Sequence, residues 1–278
     1  MSDKTAIEWT DATWNVATGC TRVSPGCDHC YIERTPPFRM AGRRFDGEGV
    51  GSSTGVVLYP ERLSIPLHWR KPRKVFVNSL SDLFVKDIPD DLIARVWAVM
   101  GSSAAHTFQV LTKRPARMRS LLSSADFRAE VEEHWVKLFR TGPSRAQFMP
   151  GTWPLPNVWG GVTVEDQERA ALRIPILLRT PLAVRWLSCE PLLGAIDLGD
   201  WFSWSPQRET DIDWVVVGGE SGPGARPMHS SWALSLRDQC EAAEVPFHFK
   251  QWGGKTPKSG GRILDGRTWD EYPQPVTA

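Results

Sequence analysis

The sequence predicts an α/β protein, a partial or complete (β/α) barrel of the TIM type with about six to seven parallel strands. Three observations point there. Short β-branched or aromatic runs alternate with helix-like patterns along the 278 residues, as parallel strands joined by crossover helices do. No G-x-G-x-x-G follows any of these runs, so the phosphate fingerprint of an open doubly wound sheet is missing; Gly218-Gly219-Glu220-Ser221-Gly222 comes nearest, with the wrong spacing. Polar residues stand at the C-terminal ends of nearly every run: Cys20, Asp82, Lys113, Glu165, Glu190, Glu220 and Gln251. In a barrel these ends converge on one mouth, where active sites lie.

The strand candidates are 14–19, 74–78, 107–112, 158–164, 184–188, 214–218 and 247–251. A helix is expected over 89–100, where Pro89 and Asp90 mark the start and Leu92, Ile93, Val96, Trp97 and Met100 form an apolar stripe. Further helices are expected over 116–122, over 166–179 with Asp166 as N-cap, and over 231–244. Residues 33–73, rich in Arg, Gly and Pro, are too long for an ordinary connection and read as a loop insertion, functional or holding an unresolved helix. Residues 141–157 and 195–212 read as surface loops, and the tail over 252–278 as a cover on the barrel. The whole chain, 1–278, reads as one domain.

Composition excludes several classes. Hydrophobic residues make up 41% and charged residues 23%, which is a globular balance. With a net charge of +1, no global attraction to nucleic acid or membrane is built in; the first 150 residues carry a small basic excess and the rest a small acidic one. No apolar run is long enough to span a membrane, and a polar N-terminus without a secretory pattern makes the cytoplasm the expected location. Five cysteines, an odd number, fit that reducing compartment. The six histidines form no H-x-x-x-H or H-E-x-x-H pair, and neither a G-x-S-x-G nor a P-loop occurs.

Cys20, Cys27 and Cys30 form C-x6-C-x2-C within G-C-T-R-V-S-P-G-C-D-H-C-Y. Thiolates bind soft or borderline metals, a C-x2-C pair brings two sulfurs to one centre, and Pro25-Gly26 turns the chain so that Cys20 can join them. Structural zinc needs four protein ligands, for which Cys189 or His29 would have to be the fourth. A [4Fe–4S] cluster held by three thiolates leaves one iron open. Both remain open on the residues alone.

Three cysteines directly after the first strand of a partial barrel resemble the radical S-adenosylmethionine (SAM) superfamily, although its usual spacing is C-x3-C-x2-C. More closely, the chain is similar to a phage- and bacterium-borne family of radical-SAM-like proteins. The similarity runs through I-E-W-T-D-A-T-W-N (7–15), the cysteine run, P-E-R-L (60–63), W-R-K-P-R (69–73), V-N-S-L-S-D-L-F (77–84) and L-T-K-R-P (111–115). It continues through G-V-T-V-E (161–165), L-S-C-E-P-L (187–192), V-V-G-G-E-S-G (216–222) and F-K-Q-W-G (249–253).

The resemblance implies a cytoplasmic [4Fe–4S] enzyme. Its open iron would hold SAM, and it would cleave SAM reductively with an electron from a flavodoxin- or ferredoxin-type reductant. The product, a 5′-deoxyadenosyl radical, would abstract hydrogen from a nucleic acid, nucleotide or protein side chain. His29 takes the position of the aromatic residue near the adenine. Ser79, Ser81 and Asp82 stand where the superfamily has the Gly-Gly-Glu that meets the methionine amino group. Thr163 and Glu165 are candidates for the ribose or methionyl end, and Gly218, Gly219 and Glu220 for close backbone approach to an adenine edge. Lys113, Arg114, Glu190, Arg226 and Lys250 are candidates for substrate. Trp69–Lys74 interleaves cations with an aromatic, as a nucleic-acid contact would. Two other readings stand beside this one: a zinc-stabilised, non-catalytic nucleic-acid-binding module, and an iron–sulfur redox or repair protein that does not use SAM.

Overall fold

A computed structural model describes residues 5–141, 152–202 and 212–274. Seven strands form one parallel sheet curled into a half-barrel flanked by helices: β1 (Ala12–Trp14), β4 (Lys74–Val77), β5 (Thr107–Thr112), β6 (Val158–Thr163), β7 (Val184–Cys189), β8 (Trp214–Gly218) and β9 (Phe247–Gln251). They are neighbours in the order in which they occur in the chain, and every pairing is parallel. No strand-order reversal occurs, so the sheet is singly wound, as a barrel is, and all strand C-termini open at one mouth. The expected partial barrel is present.

Six strands match the expected runs within a residue or two. The first does not. The chain leaves the sheet after Trp14, because the Asn78 side-chain carbonyl takes the Val16 N–H at 3.0 Å. Ala17–Thr18 (β2) then pairs antiparallel with Val57–Leu58 (β3). The 33–73 insertion holds β3, the short helix α1 (Pro36–Met40) and several 3-10 turns.

The connecting helices are α2 (Asp90–Ser102), α3 (Pro115–Leu122), α4 (Ala125–Thr141), α5 (Gln167–Leu178), α6 (Gly199–Phe202) and α7 (Ser230–Ala242). Asp166 caps α5 by accepting the Arg169 N–H at 2.9 Å, as expected. The sequence reading assigned nothing to α4, whose Phe127, Val131 and Trp135 are buried at helical spacing among mostly charged neighbours. The loops expected over 141–157 and 195–212 lie partly outside the described residues, and α6 begins inside the second.

Alternation along the strands divides the interior in two. Val75, Val77, Phe108, Val110, Val162, Leu187, Val215, Val217, Phe247 and Phe249 face the helices and form the main core with α2, α5 and α7. Phe76, Trp159, Trp186, Trp214 and Val216 point the other way and fill the concave side around Trp9 from the N-terminal segment. The Trp186 ring lies 5.2 Å from Trp9 and 5.3 Å from Trp214. The Gly160-Gly161 pair has a steric reason here: a Cβ on Gly161 would sit 2.5 Å from the Trp186 ring.

His248 on β9 is also buried on this side. Among the described residues, neither ring nitrogen has a hydrogen-bond partner, and a carboxylate oxygen of Asp270 is 3.9 Å from Nδ1. Beyond β9 the C-terminal segment turns back alongside it, with the Phe249 N–H donating to Trp269 O at 2.9 Å and the Glu271 N–H to Phe247 O at 3.3 Å. Among the described residues, no helix is long and apolar enough to cross a membrane.

Candidate metal centre at the barrel mouth

The three cysteines stand on one loop beyond the C-terminal end of β1. Gly19, at φ +101°, starts it; a Cβ there would lie 1.7 Å from Gly55 O, so only glycine fits. Cys20 is then pinned to the insertion by paired backbone and side-chain bonds with Thr54, each 3.0 Å. Pro25–Cys27 forms a 3-10 turn, closed by Cys27 N–H to Ser24 O at 2.9 Å, and Cys30 N–H returns to Cys27 O at 3.3 Å. The turn holds Cys27 and Cys30 close together in the chain, but among the described residues the three sulfurs do not all lie within 4.8 Å of one another, so the expected convergence of Cys20 on the pair is not seen. Cys27 is buried, whereas Cys20 and Cys30 are partly accessible.

Beneath the loop lies a buried carboxylate. Glu165, fully enclosed, accepts from Ser24 Oγ at 2.6 Å, Lys113 Nζ at 2.5 Å and Arg173 at 2.9 Å. Burial works against its charge, but Lys113 and Arg173 outweigh that and hold its pKa below the ordinary carboxylate value. A Cβ on Gly26 would meet the Glu165 side chain at 2.5 Å, so the loop rests directly on this group.

From the β8 side, Arg226 grips Glu220 with two guanidinium bonds of 2.6 and 3.0 Å and donates to Pro25 O at 2.9 Å. Arg34 bridges Ser221 O (2.9 Å) and His29 O (3.3 Å). Ser81 Oγ donates to Gly19 O at 2.6 Å, and the Tyr31 hydroxyl to Ser79 O. The cysteine loop is thus clipped to the ends of β4, β6 and β8 by the protein alone.

Several expected roles change in this setting. Asp82 is not free for an incoming ammonium: its carboxylate accepts from Thr112 Oγ1 (2.8 Å), the Phe84 and Lys113 N–H groups (2.9 and 3.0 Å) and Arg114 (2.7 Å). Arg114 is turned inward as well, onto Asp82, Thr21 O (2.6 Å) and the Cys20 sulfur (3.8 Å). Ser79 bonds the Asn15 side chain and Ser81 the loop. Gly219 admits no ligand, since a Cβ would lie 2.0 Å from Trp252 O in the C-terminal segment, and Glu220 is held by Arg226.

Lys113 and Arg226 are likewise spent on carboxylates. Glu190 meets Lys250 at 2.7 Å, with Trp9 Nε1 at 3.2 Å on its other oxygen, and a Cβ on Gly218 would touch Glu190 at 3.0 Å. Thr163 is buried, and its carbonyl accepts from Arg173. His29 lies against Gly224, where a Cβ would be 3.2 Å from its ring. Ser24, Tyr31, Arg34 and Arg173 are site residues that the sequence did not single out; Ser24 and Tyr31, within the motif, carried the only signal.

Trp69–Arg73 precedes β4 and Lys74 begins it, so the run lies at the end of the sheet opposite the cysteines. The Trp69 ring packs edge-on against His106 at 5.6 Å and beneath Arg73, and Lys74 sits over Tyr272, so the aromatic is not a free platform for a base.

The donor set fits a metal group of one kind better than another. The three thiols influence one another: burial chiefly, then Cys27 and Cys20, push the Cys30 thiol up to about 12, and burial with Asp82 raises Cys20 against the pull of Arg114. The Cys20 and Cys30 thiols therefore stay protonated until a metal displaces the proton. Tetrahedral zinc at about 2.3 Å from each sulfur would draw its ligands to within roughly 4 Å of one another. Among the described residues, no three ligand atoms at the mouth lie within 4.8 Å of one another; the one such group, Asp91, Glu130 and His134, joins α2 to α4. Cys189 is no fourth ligand. It faces the helices in the main core, fully buried beside Cys240 of α7, and both thiols are pushed well up by burial. With Cys189 turned away, a zinc here would need His29 as its fourth ligand, whereas a cluster that takes one thiolate per iron on three irons would need only the three thiols of the loop.

No curated protein and no solved structure gives a significant match to this chain. Over residues 4–273, which take in the whole half-barrel and the cysteine loop, the chain matches the family described as "Protein of unknown function (DUF5131)" and belongs to it.

Proposed function

We propose that the protein is an iron–sulfur enzyme of the radical SAM type, in which Cys20, Cys27 and Cys30 hold three irons of a [4Fe–4S] cluster and the fourth iron is left to SAM. The observation that carries this reading is the disposition of the five cysteines. Three share one clipped loop at the mouth of a parallel half-barrel, and two are turned into the core. When bound, such a cluster supplies the single electron that cleaves SAM to methionine and a 5′-deoxyadenosyl radical. The chain's own part is to hold the loop open-faced: Glu165 from below, Arg226 and Arg34 from the β8 side, Ser81 from the β4 side. Asp82 being held by four donors, the charged ends of the methionyl group would fall to Glu190 and Lys250, a pair at the mouth that would have to part to admit a zwitterion. The electron would come from a reductant of the flavodoxin or ferredoxin type.

Iron, sulfide and zinc content of anaerobically purified protein, beside the Cys27→Ala variant, tests the reading. Near four irons and four sulfides per chain, lost in the variant, are expected, followed by 5′-deoxyadenosine on reduction with SAM. About one zinc without sulfide would overturn the reading and leave a zinc-stapled binding module. A full cluster that never yields 5′-deoxyadenosine would leave an iron–sulfur redox or repair protein.

A further inference from the structure

Among the described residues, Arg114 is a charged side chain that reaches a cysteine sulfur. One guanidinium nitrogen lies 3.8 Å from Cys20 Sγ and 2.7 Å from Asp82, and the other donates to Thr21 O at 2.6 Å. The placement is fixed from behind, because the same Asp82 carboxylate is tied by Thr112 and by the backbone of Phe84 and Lys113. Both partners are largely enclosed, with side-chain exposures of 16% for Arg114 and 9% for Asp82. The Cys20 thiol itself points its proton toward Thr21 O at 3.5 Å. Once that proton is lost to metal ligation, the sulfur can only accept, and the Arg114 N–H faces it as a charged donor beside the backbone N–H of Asp82.

We propose that Arg114, held in place by Asp82, is a positioning residue for the metal centre: it donates an N–H···S hydrogen bond to the ligating Cys20 thiolate and raises the reduction potential of the cluster. The inference rests on the iron–sulfur reading above. Its physics is direct. Reduction adds negative charge to a thiolate-bound cluster, and a fixed cation and donor at one sulfur stabilise the reduced form more than the oxidised one, most strongly where water is excluded. It also replaces the substrate-anion role expected of Arg114, whose nitrogens are already committed around Cys20.

The test is a redox titration of the reconstituted protein, followed by visible absorption and electron paramagnetic resonance, for wild type, Arg114→Gln and Arg114→Lys. Iron and sulfide are assayed in each, and circular dichroism confirms folding. The glutamine variant is expected to keep the cluster and to titrate at a more negative potential, with the lysine variant in between, since lysine keeps the charge without the fork that spans Asp82 and Thr21. Loss of iron from a folded glutamine variant, with retention in the lysine variant, also supports a cation acting on Cys20. Unchanged potentials at full iron content would overturn the proposal, as would loss of iron from both variants, which would make Arg114 a structural tie of the loop. If wild-type protein itself takes up no iron and sulfide, the failure belongs to the cluster reading and not to Arg114.

Discussion

Replacing Gly26 by alanine places one methyl group where the cysteine loop meets Glu165. The added Cβ would lie 2.5 Å from both Cγ and Oε1 of that side chain, closer than van der Waals contact allows, so one partner must move. Glu165 can yield only by breaking its bonds to Lys113, Ser24 and Arg173, and disrupting a buried ion pair costs about 3–5 kcal/mol. The cheaper response is to lift the loop, straining the Arg226 to Pro25 O bond and the Ser24 bond, and overpacking of this sort costs about 1–3 kcal/mol. The backbone itself raises no objection, because Gly26 does not adopt a positive φ. Urea denaturation of the metal-free protein should therefore show a loss of about 1–3 kcal/mol at unchanged m value. The lifted loop should also retain less iron after reconstitution. Gly47→Ala is the control, since its Cβ would meet nothing nearer than Ser52 at 3.8 Å. Equal midpoints for wild type and Gly26→Ala, with equal iron retention, would refute the claim that the loop rests on Glu165.

Four other substitutions probe the same framework. Burial holds the pKa of His248 down to about 4, so its neutral form supports the fold fully above its ordinary value near 6.5, and that support is lost as pH falls from there toward 4. A shift of this size corresponds to about 3 kcal/mol, so His248→Phe should flatten the fall in stability between pH 7 and pH 4; an unchanged pH profile would contradict it. Cys189→Ala should lower stability by about 1 kcal/mol, yet leave iron content at the wild-type level, whereas Cys20→Ala should lose it; equal iron loss in both would make Cys189 a ligand after all. Arg226→Ala leaves Glu220 without its partner, and with Arg226 about one third exposed the cost should be about 1–2 kcal/mol at pH 7. Glu220 has its pKa depressed against burial by Arg226, so this cost should vanish as pH falls through the carboxylate range. Equal losses at pH 7 and at low pH would refute the pairing.

Local chemistry explains what could be read from the chain and what could not. Trp214–Gly218 announces itself because a strand buried on both faces is apolar throughout, and Thr107–Thr112 by its β-branched and aromatic residues; the boundaries of both matched residue for residue. The first strand was misplaced because its end is set by Asn78, 62 residues away, through a side-chain bond that no local pattern encodes. Helix α4 escaped notice because a narrow stripe of Phe127, Val131 and Trp135 is diluted by charge. At the mouth, the spacing C-x6-C-x2-C identified the cysteines. The charged residues around them were found as types but not in their roles. Whether Asp82 or Lys113 faces a ligand or another side chain depends on which strand end lies opposite, and that is settled only when the sheet curls.

The C-terminal segment that lies antiparallel along β9 has a bearing on how the molecule avoids its own copies. A parallel sheet that stops short of closing leaves a last strand whose amides and carbonyls on one side are open to any chain that can pair with them. Here Trp269 and Glu271 occupy those groups at Phe249 and Phe247, and the Trp269 ring packs against Phe247 at 5.8 Å. A chain shortened before Arg262 would bare an apolar edge, and two such edges could join into one continuous sheet. Tagging or trimming this end therefore risks aggregation through β9, the edge opposite β1 in the strand order.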